Sequence, residues 1–303
     1  MLEKFAHVKW FNNPSPAHEA AFSLAELTVV AMIVIAGLFV LRFIDLWLKQ
    51  KKIIAEIDKR TKPFSSWVPL IVRLSTATLL LINIAQDYLL APNVSSSSSA
   101  ISNSINIIFG VTAALLALGL FTEVAAMALL VGYLLVFKHS AAIDVLDHFE
   151  YVGIAGYLWL RGPGKHSLDN YFRKGKLAVS KGREHSLNIY RIGVGIGLAT
   201  LALSEKIFNV SAAQDFLNQY DWNIVSFAGV SDRNFILVAG AIELLVGIAL
   251  ILNHAPRLLV TVVLLLMITT AIVLGIDEIY GHLFAVGLVA AIWVNDQKPA
   301  KNS

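Results

Sequence analysis

The sequence predicts an all-α, polytopic membrane protein of about nine transmembrane helices: two tandem, parallel four-helix bundles preceded by one amino-terminal helix. Three observations predict it. Of 303 residues, 57% are hydrophobic and only 15% are charged, against about a quarter charged in an average soluble domain. The apolar residues gather in nine stretches, most of them near the roughly 20 residues that a hydrocarbon core about 30 Å thick requires of a helix. The later stretches repeat the earlier ones. This composition excludes an ordinary soluble enzyme, a nucleic-acid-binding module and a disordered chain. With no cysteine, the chain has no disulfides, thiol chemistry or cysteine-held metal centre.

In order, the stretches are 22–47, 67–90, 105–121, 123–138, 146–161, 190–208, 234–253, 256–275 and 278–295. The first contains the run Leu27–Leu41, too long for a signal-peptide core, and is followed by Arg42 and a lysine cluster. It therefore reads as an uncleaved span with the amino terminus outside. Phe121-Thr122-Glu123 and Asn253-His254-Ala255-Pro256 are tight turns between antiparallel neighbours. Seventeen of the 24 Lys and Arg residues fall in segments 42–66 and 161–189 or at Arg257, Lys298 and Lys301, and only five lie on the other side. The positive-inside rule then puts the carboxyl terminus in the cytoplasm. Trp47, Trp67, Trp159 and Trp293 fall at the same helix ends, where indole rings favour the interface. The expected location is the plasma membrane, bacterial or archaeal inner, crossed many times.

Segments 105–160 and 239–294 superimpose at a constant offset of 134. His148, Val152, Gly153 and Trp159 recur as His282, Val286, Gly287 and Trp293, and Asp144 is matched by Glu278. In the preceding helices Arg73 and Asp87 are 14 apart, as are Arg191 and Glu205. The second unit carries about 16 extra residues around Gln214–Asp232. The expected organisation is a helix with a basic segment (1–66), a first unit (67–169), a basic linker (170–189) and a second unit (190–299). Four spans per unit give both the same orientation, related by an axis along the membrane normal. The linker sets topology and meets lipid headgroups.

Ionisable groups inside a bilayer are costly and mark candidate sites. Arg73 and Arg191 start their helices, either snorkelling and capping backbone or clamping an anion or headgroup. At the outer ends, Asp87 and Glu205 close the first helices, while Asp144 with His148 and Glu278 with His282 open the fourth. An acid and a histidine four residues apart share one helix face, so the carboxylate can orient the imidazole. Such clusters serve proton transfer in quinone chemistry or metal binding, or else form interfacial salt bridges. Glu243, among small residues in Gly240–Gly247, is a buried carboxylate that is either protonated or faces a polar partner. Gly193-Val194-Gly195-Ile196-Gly197 lies inside an apolar helix and reads as helix packing, not as a nucleotide loop.

Three segments carry a likeness: Gly162-Pro163-Gly164-Lys165-His166-Ser167-Leu168-Asp169 after a fourth helix, the Arg-led first helices at Arg73 and Arg191, and Gly240–Gly247. They resemble, in turn, the GxGxxSLD ending, the first helix and the GxxExxxG pattern of the DoxX/DoxD-type integral membrane proteins. The likeness covers 67–169 and more weakly 190–295. It implies four-helix units and a membrane subunit of a quinone-linked oxidoreductase, of thiosulfate:quinone type or linked to oxidative stress. His148, His282, Asp144 and Glu278 would then handle protons. Arg73, Arg191, Glu243, Asp87 and Glu205 would hold a quinone or anion. The partners implied are membrane lipids and a peripheral redox protein, with no nucleic acid. The alternative is a non-enzymatic transporter, a lipid or small-solute binder, or an anchor. Two departures stand out: Phe109 occupies the position that matches Glu243, and the second unit ends without the glycine–SLD signature.

Overall fold

The computed structural model describes residues 20–96, 99–173, 185–274 and 280–295. Among these, regular structure is helical, and a single isolated bridge joins Tyr88 to Ser95. Helix α1 (Leu24–Lys49) opens with a capping box: the Ser23 hydroxyl accepts from Glu26 N–H, and Ser23 N–H donates to the Glu26 carboxylate at 2.7 Å. This satisfies amide donors that every helix start leaves without an intrahelical partner. There follow α2 (Lys52–Thr61), a 3₁₀ turn (Lys62–Ser66), α3 (Val68–Ala85), α4 (Ala100–Leu118), α5 (Thr122–Val136), short α6 (Ala142–Leu146), α7 (Glu150–Arg161) and short α8 (Leu168–Phe172). Then come α9 (Ser186–Ala202), running into a π-helical turn (Leu203–Ile207), α10 (Val210–Tyr220), α11 (Asp232–Leu252), α12 (Pro256–Leu274) and α13 (Leu283–Asn295).

Among the described residues five helices are long and apolar enough to cross a bilayer: α1, α3, α4, α9 with its π turn, and α11; α5, α12 and α13 are apolar as well. Only 11% of the apolar window of α1 is buried, and Phe39 and Phe43 are more than 70% exposed. An apolar surface of this extent is stable in hydrocarbon and not in water. The fourth stretch of the first half is shorter than its hydropathy suggests. Between α6 and α7, residues 147–149 make tightened bonds such as His148 N–H to Val145 C=O (3.1 Å), so α7 begins at Glu150.

Helix α9 is the centre of the assembly, packed on α7 along one side and on α11 along another. The glycine run explains both contacts. A Cβ on Gly193 would stand 2.5 Å from Gly153 Cα on α7, and one on Gly195 would stand 2.7 Å from the Gly247 carbonyl on α11. Without side chains there, the backbones approach closely enough for dispersion to hold them in apolar surroundings. The other junction between the halves joins α13 to α3. There a Cβ on Gly287 would meet the Tyr190 hydroxyl, Ser75 Oγ and Val72. Gly287 matches Gly153 by the offset of 134, and Ser75 matches Gly193 by the offset that pairs Arg73 with Arg191. The two junctions thus use equivalent positions.

The turns match as well. Gly119 and Asn253, separated by 134, are both left-handed helix ends (φ 65° and 59°), and Phe121 and Ala255 are both left-handed two residues later (φ 48° and 45°). Substituting Gly193→Ala, where the new methyl meets backbone, is expected to lower stability by roughly 1–3 kcal/mol or more. Gly110→Ala, whose methyl makes only an ordinary 3.8 Å contact with Ile84, should be neutral or stabilising by roughly 0.5–1 kcal/mol. Thermal unfolding of the two purified variants separates these outcomes.

Candidate functional site

Arg73 is fully buried near the start of α3. Its Nη1 donates to the Leu116 carbonyl at 2.7 Å and its Nη2 to the His166 carbonyl. Arg191, 5% exposed, donates from Nη1 to the Leu250 and Ile251 carbonyls. Leu116 and Leu250 are again 134 apart, so each arginine satisfies the open carbonyls at the end of the following long helix, where the helix dipole also favours a cation. The Gly162–Asp169 segment completes this end of the first half. The Asp169 carboxylate accepts from Phe121 and Thr122 N–H, both at 2.9 Å, and caps α5. In the second half Pro256, which has no N–H, stands where Thr122 does, and Arg257 pairs with Asp58 of α2. We call this the basic end.

At the far end the two halves differ. Asp87 is exposed in a turn with φ 58°, whereas Glu205, its counterpart, is 1% exposed in the π-helical turn. His148 is buried, with Nδ1 3.3 Å from Glu150 Oε1 and Nε2 3.3 Å from Asn93 Oδ1. The tightened turn at 147–149 removes the continuous helix on which Asp144 and His148 would share a face, and Asp144 is half-buried. Asp147, also buried, accepts from Ser204 Oγ at 3.0 Å and ties the first half to the π turn. Next to His148 and Glu150 lies a cavity of about 30 Å³, lined also by Asn83, Tyr151 and Tyr280, with room for a water. Glu278 lies outside the described residues.

Glu243 has the polar partner that its position demanded. Lys206 Nζ donates to Glu243 Oε2 at 2.6 Å. Both groups, with Glu205 and His282, line a partly open cavity of about 480 Å³ between α9, α10, α11, α12 and α13. The remaining lining is apolar, including Phe216, Trp222, Val246, Val263, Leu266 and Leu288. Helix α10 and the following loop, formed by the extra residues of the second unit, supply the wall at the far end. Phosphate- or carboxylate-like recognition at Arg73 and Arg191 is not part of this cavity, since neither lines it.

The cavity exists because the second half lacks the aromatic filling of the first. In the first half, Phe109, Tyr133 and Tyr151 are about 1% exposed, and their rings stack at centroid distances of 6.4 Å for Phe109–Tyr151 and for Tyr133–Tyr151. At offset 134 these positions become Glu243, Met267 and Ala285, and Ile105 becomes Ala239. All four replacements line the cavity. Helices α11 and α12 meet sparsely, whereas α4 and α5 pack along much of their length. Pockets of this size and lining are those that take small molecules.

Sequence reasoning singled out Glu243, Glu205 and His282 and missed Lys206, which it counted only as one of the five basic residues on the outer side. The available signal was an acid and a lysine in succession inside an apolar helix. Among the described residues no cluster of His, Asp and Glu is placed to hold a metal. No protein-family model matches the chain, and no curated protein and no solved structure matches it.

Restoring the first-half residue, Ala285→Tyr, is expected to fill the cavity, abolish binding of a hydrophobic fluorescent probe and leave the helical content intact. Glu243→Gln keeps a hydrogen bond to Lys206 and should express normally. Glu243→Lys sets two ammonium groups together and should cost on the order of 3–5 kcal/mol, seen as loss of folded protein in membranes.

Proposed function

We propose that the chain is a nine-span, DoxX-type membrane protein built of two four-helix units related by an axis along the membrane normal. In this reading it serves as the quinone-binding membrane subunit of an oxidoreductase. Its amino terminus faces outward, its basic end faces the cytoplasm of a bacterial or archaeal cell, and electrons reach it from a peripheral redox partner. Support for the two units comes from the equivalent contacts of Arg73 with Arg191 and of Gly153 with Gly287. The observation that carries the function is the 480 Å³ largely apolar cavity whose lining includes Lys206, Glu243, Glu205 and His282.

The residues fit such a group by their chemistry. A quinone supplies two-electron, two-proton redox chemistry within the lipid phase. Its isoprenoid tail suits the apolar walls, which also exclude water. Lys206 donates hydrogen bonds to a headgroup oxygen while Glu243 holds its ammonium group in place. His282 and the carboxylates are the proton-exchanging groups in the lining. Arg73 and Arg191 act as structural cations here, because the Nη1 donors of both are engaged by helix-end carbonyls.

The filled first unit is then scaffold and the hollow second unit is the binding module. The non-enzymatic alternative, a lipid or small-solute binder or transporter or an anchor, is favoured by the breadth of apolar lining relative to four ionisable groups.

Solvent extraction of protein purified from its native membrane is expected to yield close to one quinone per chain. Lys206→Ala and His282→Ala are each expected to lower retention about tenfold, the loss of one charged hydrogen bond. Absence of quinone together with a co-purifying lipid would select the non-enzymatic reading. Thiosulfate- or sulfite-dependent dye reduction in native membranes distinguishes an oxidoreductase subunit from a passive quinone carrier.

A further inference from the structure

The basic end carries a surface that the cavity chemistry does not use. Helix α2 connects α1 to the 3₁₀ turn before α3 and packs against that turn and α13. Within it and at its ends stand Lys51, Lys52, Lys59, Arg60 and Lys62. Its two acids are matched: Glu56 accepts from Arg60 Nε at 2.9 Å, and Asp58 pairs with Arg257 of α12. Lys52, Lys59 and Lys62 are exposed and have no acidic partner among the described residues. Lys51 sits over the Trp47 ring at 4.2 Å. Beside these cations Ile53 and Phe64 are more than 60% exposed, and Trp47 and Trp67 about half exposed.

Exposed aliphatic and aromatic side chains interleaved with lysines, at the level where the spans end, form the combination that suits an anionic lipid surface. The apolar groups enter the acyl boundary and the ammonium groups meet phosphates. We propose that α2 binds the anionic phospholipid headgroups of the leaflet at the basic end, and that the Asp58–Arg257 pair transmits this docking to α12 and α13, two walls of the cavity. The proposal rests on the membrane reading of the long apolar helices and is independent of the quinone assignment. Charge complementarity selects the occupant: the unmatched groups are all cations, and each basic group near an anionic surface favours it roughly fivefold.

The test uses the full chain in nanodiscs of phosphatidylcholine alone or mixed with phosphatidylglycerol. Lipids retained on release into detergent are read by native mass spectrometry, and unfolding is read by heating. Wild type is expected to retain phosphatidylglycerol preferentially and to unfold at a higher temperature when it is present. The combined substitution Lys52→Gln, Lys59→Gln and Lys62→Gln should cut that preference about tenfold or more while circular dichroism stays unchanged. Asp58→Asn should keep the preference and lose the thermal gain. Equal retention of both lipids by wild type, or an unaltered preference in the triple variant, overturns lipid docking. Loss of preference in Asp58→Asn, or a thermal gain that survives it, overturns transmission through that pair. Failure of wild type to enter nanodiscs would instead remove the membrane reading itself.

Discussion

Helix backbones in an apolar medium gain nothing from excluding water, so they hold together only where they can come close. Here that closeness is set by α9, whose glycines lie against Gly153 on one side and Gly247 on the other. Because Gly193 and Gly195 point in different directions from one helix, α9 fixes the spacing of α7 and α11 at once. Everything that depends on the relation between the two halves inherits this spacing, including the half-buried Asp147–Ser204 bond at the far end. The arginines add directional constraint: each ties the start of one helix to the end of the next, so helices cannot slide along one another without exposing carbonyl groups.

On this shared frame the halves use their interiors in opposite ways. The first spends aromatic volume to fill its core, which gains dispersion and leaves only a water-sized space beside Tyr151. The second replaces three large rings by Glu243, Met267 and Ala285 and accepts an internal space with the associated loss of contacts. In the Lys206–Glu243 pair, two opposite charges inside an apolar wall stabilise one another more than either would alone.

The helices themselves were legible because hydropathy and length report directly on burial in lipid or core; α3, α11 and α12 begin within a few residues of their expected starts. The tandem pattern was legible because His148/His282 and Gly153/Gly287 keep their spacing. Less accessible was the interruption at 147–149, where Asp147 accepts from Ser204 of the π-helical turn, 57 positions away, a contact that no local pattern encodes. The partner of Glu243 was hidden for a related reason. Lys206 lies 37 positions away, and its direction depends on the π-helical turn, a backbone irregularity invisible to a 3.6-residue period. The cavity required two pieces of information together, namely which positions are equivalent and how far the rings at those positions reach inward.

Helix α1 breaks the correspondence between the halves. It lies along α11 and covers Ala241 completely, whereas the matching Ile107 on α4 is 67% exposed. The molecule therefore offers its surroundings one bare flank of this kind where an unadorned duplicate would offer two.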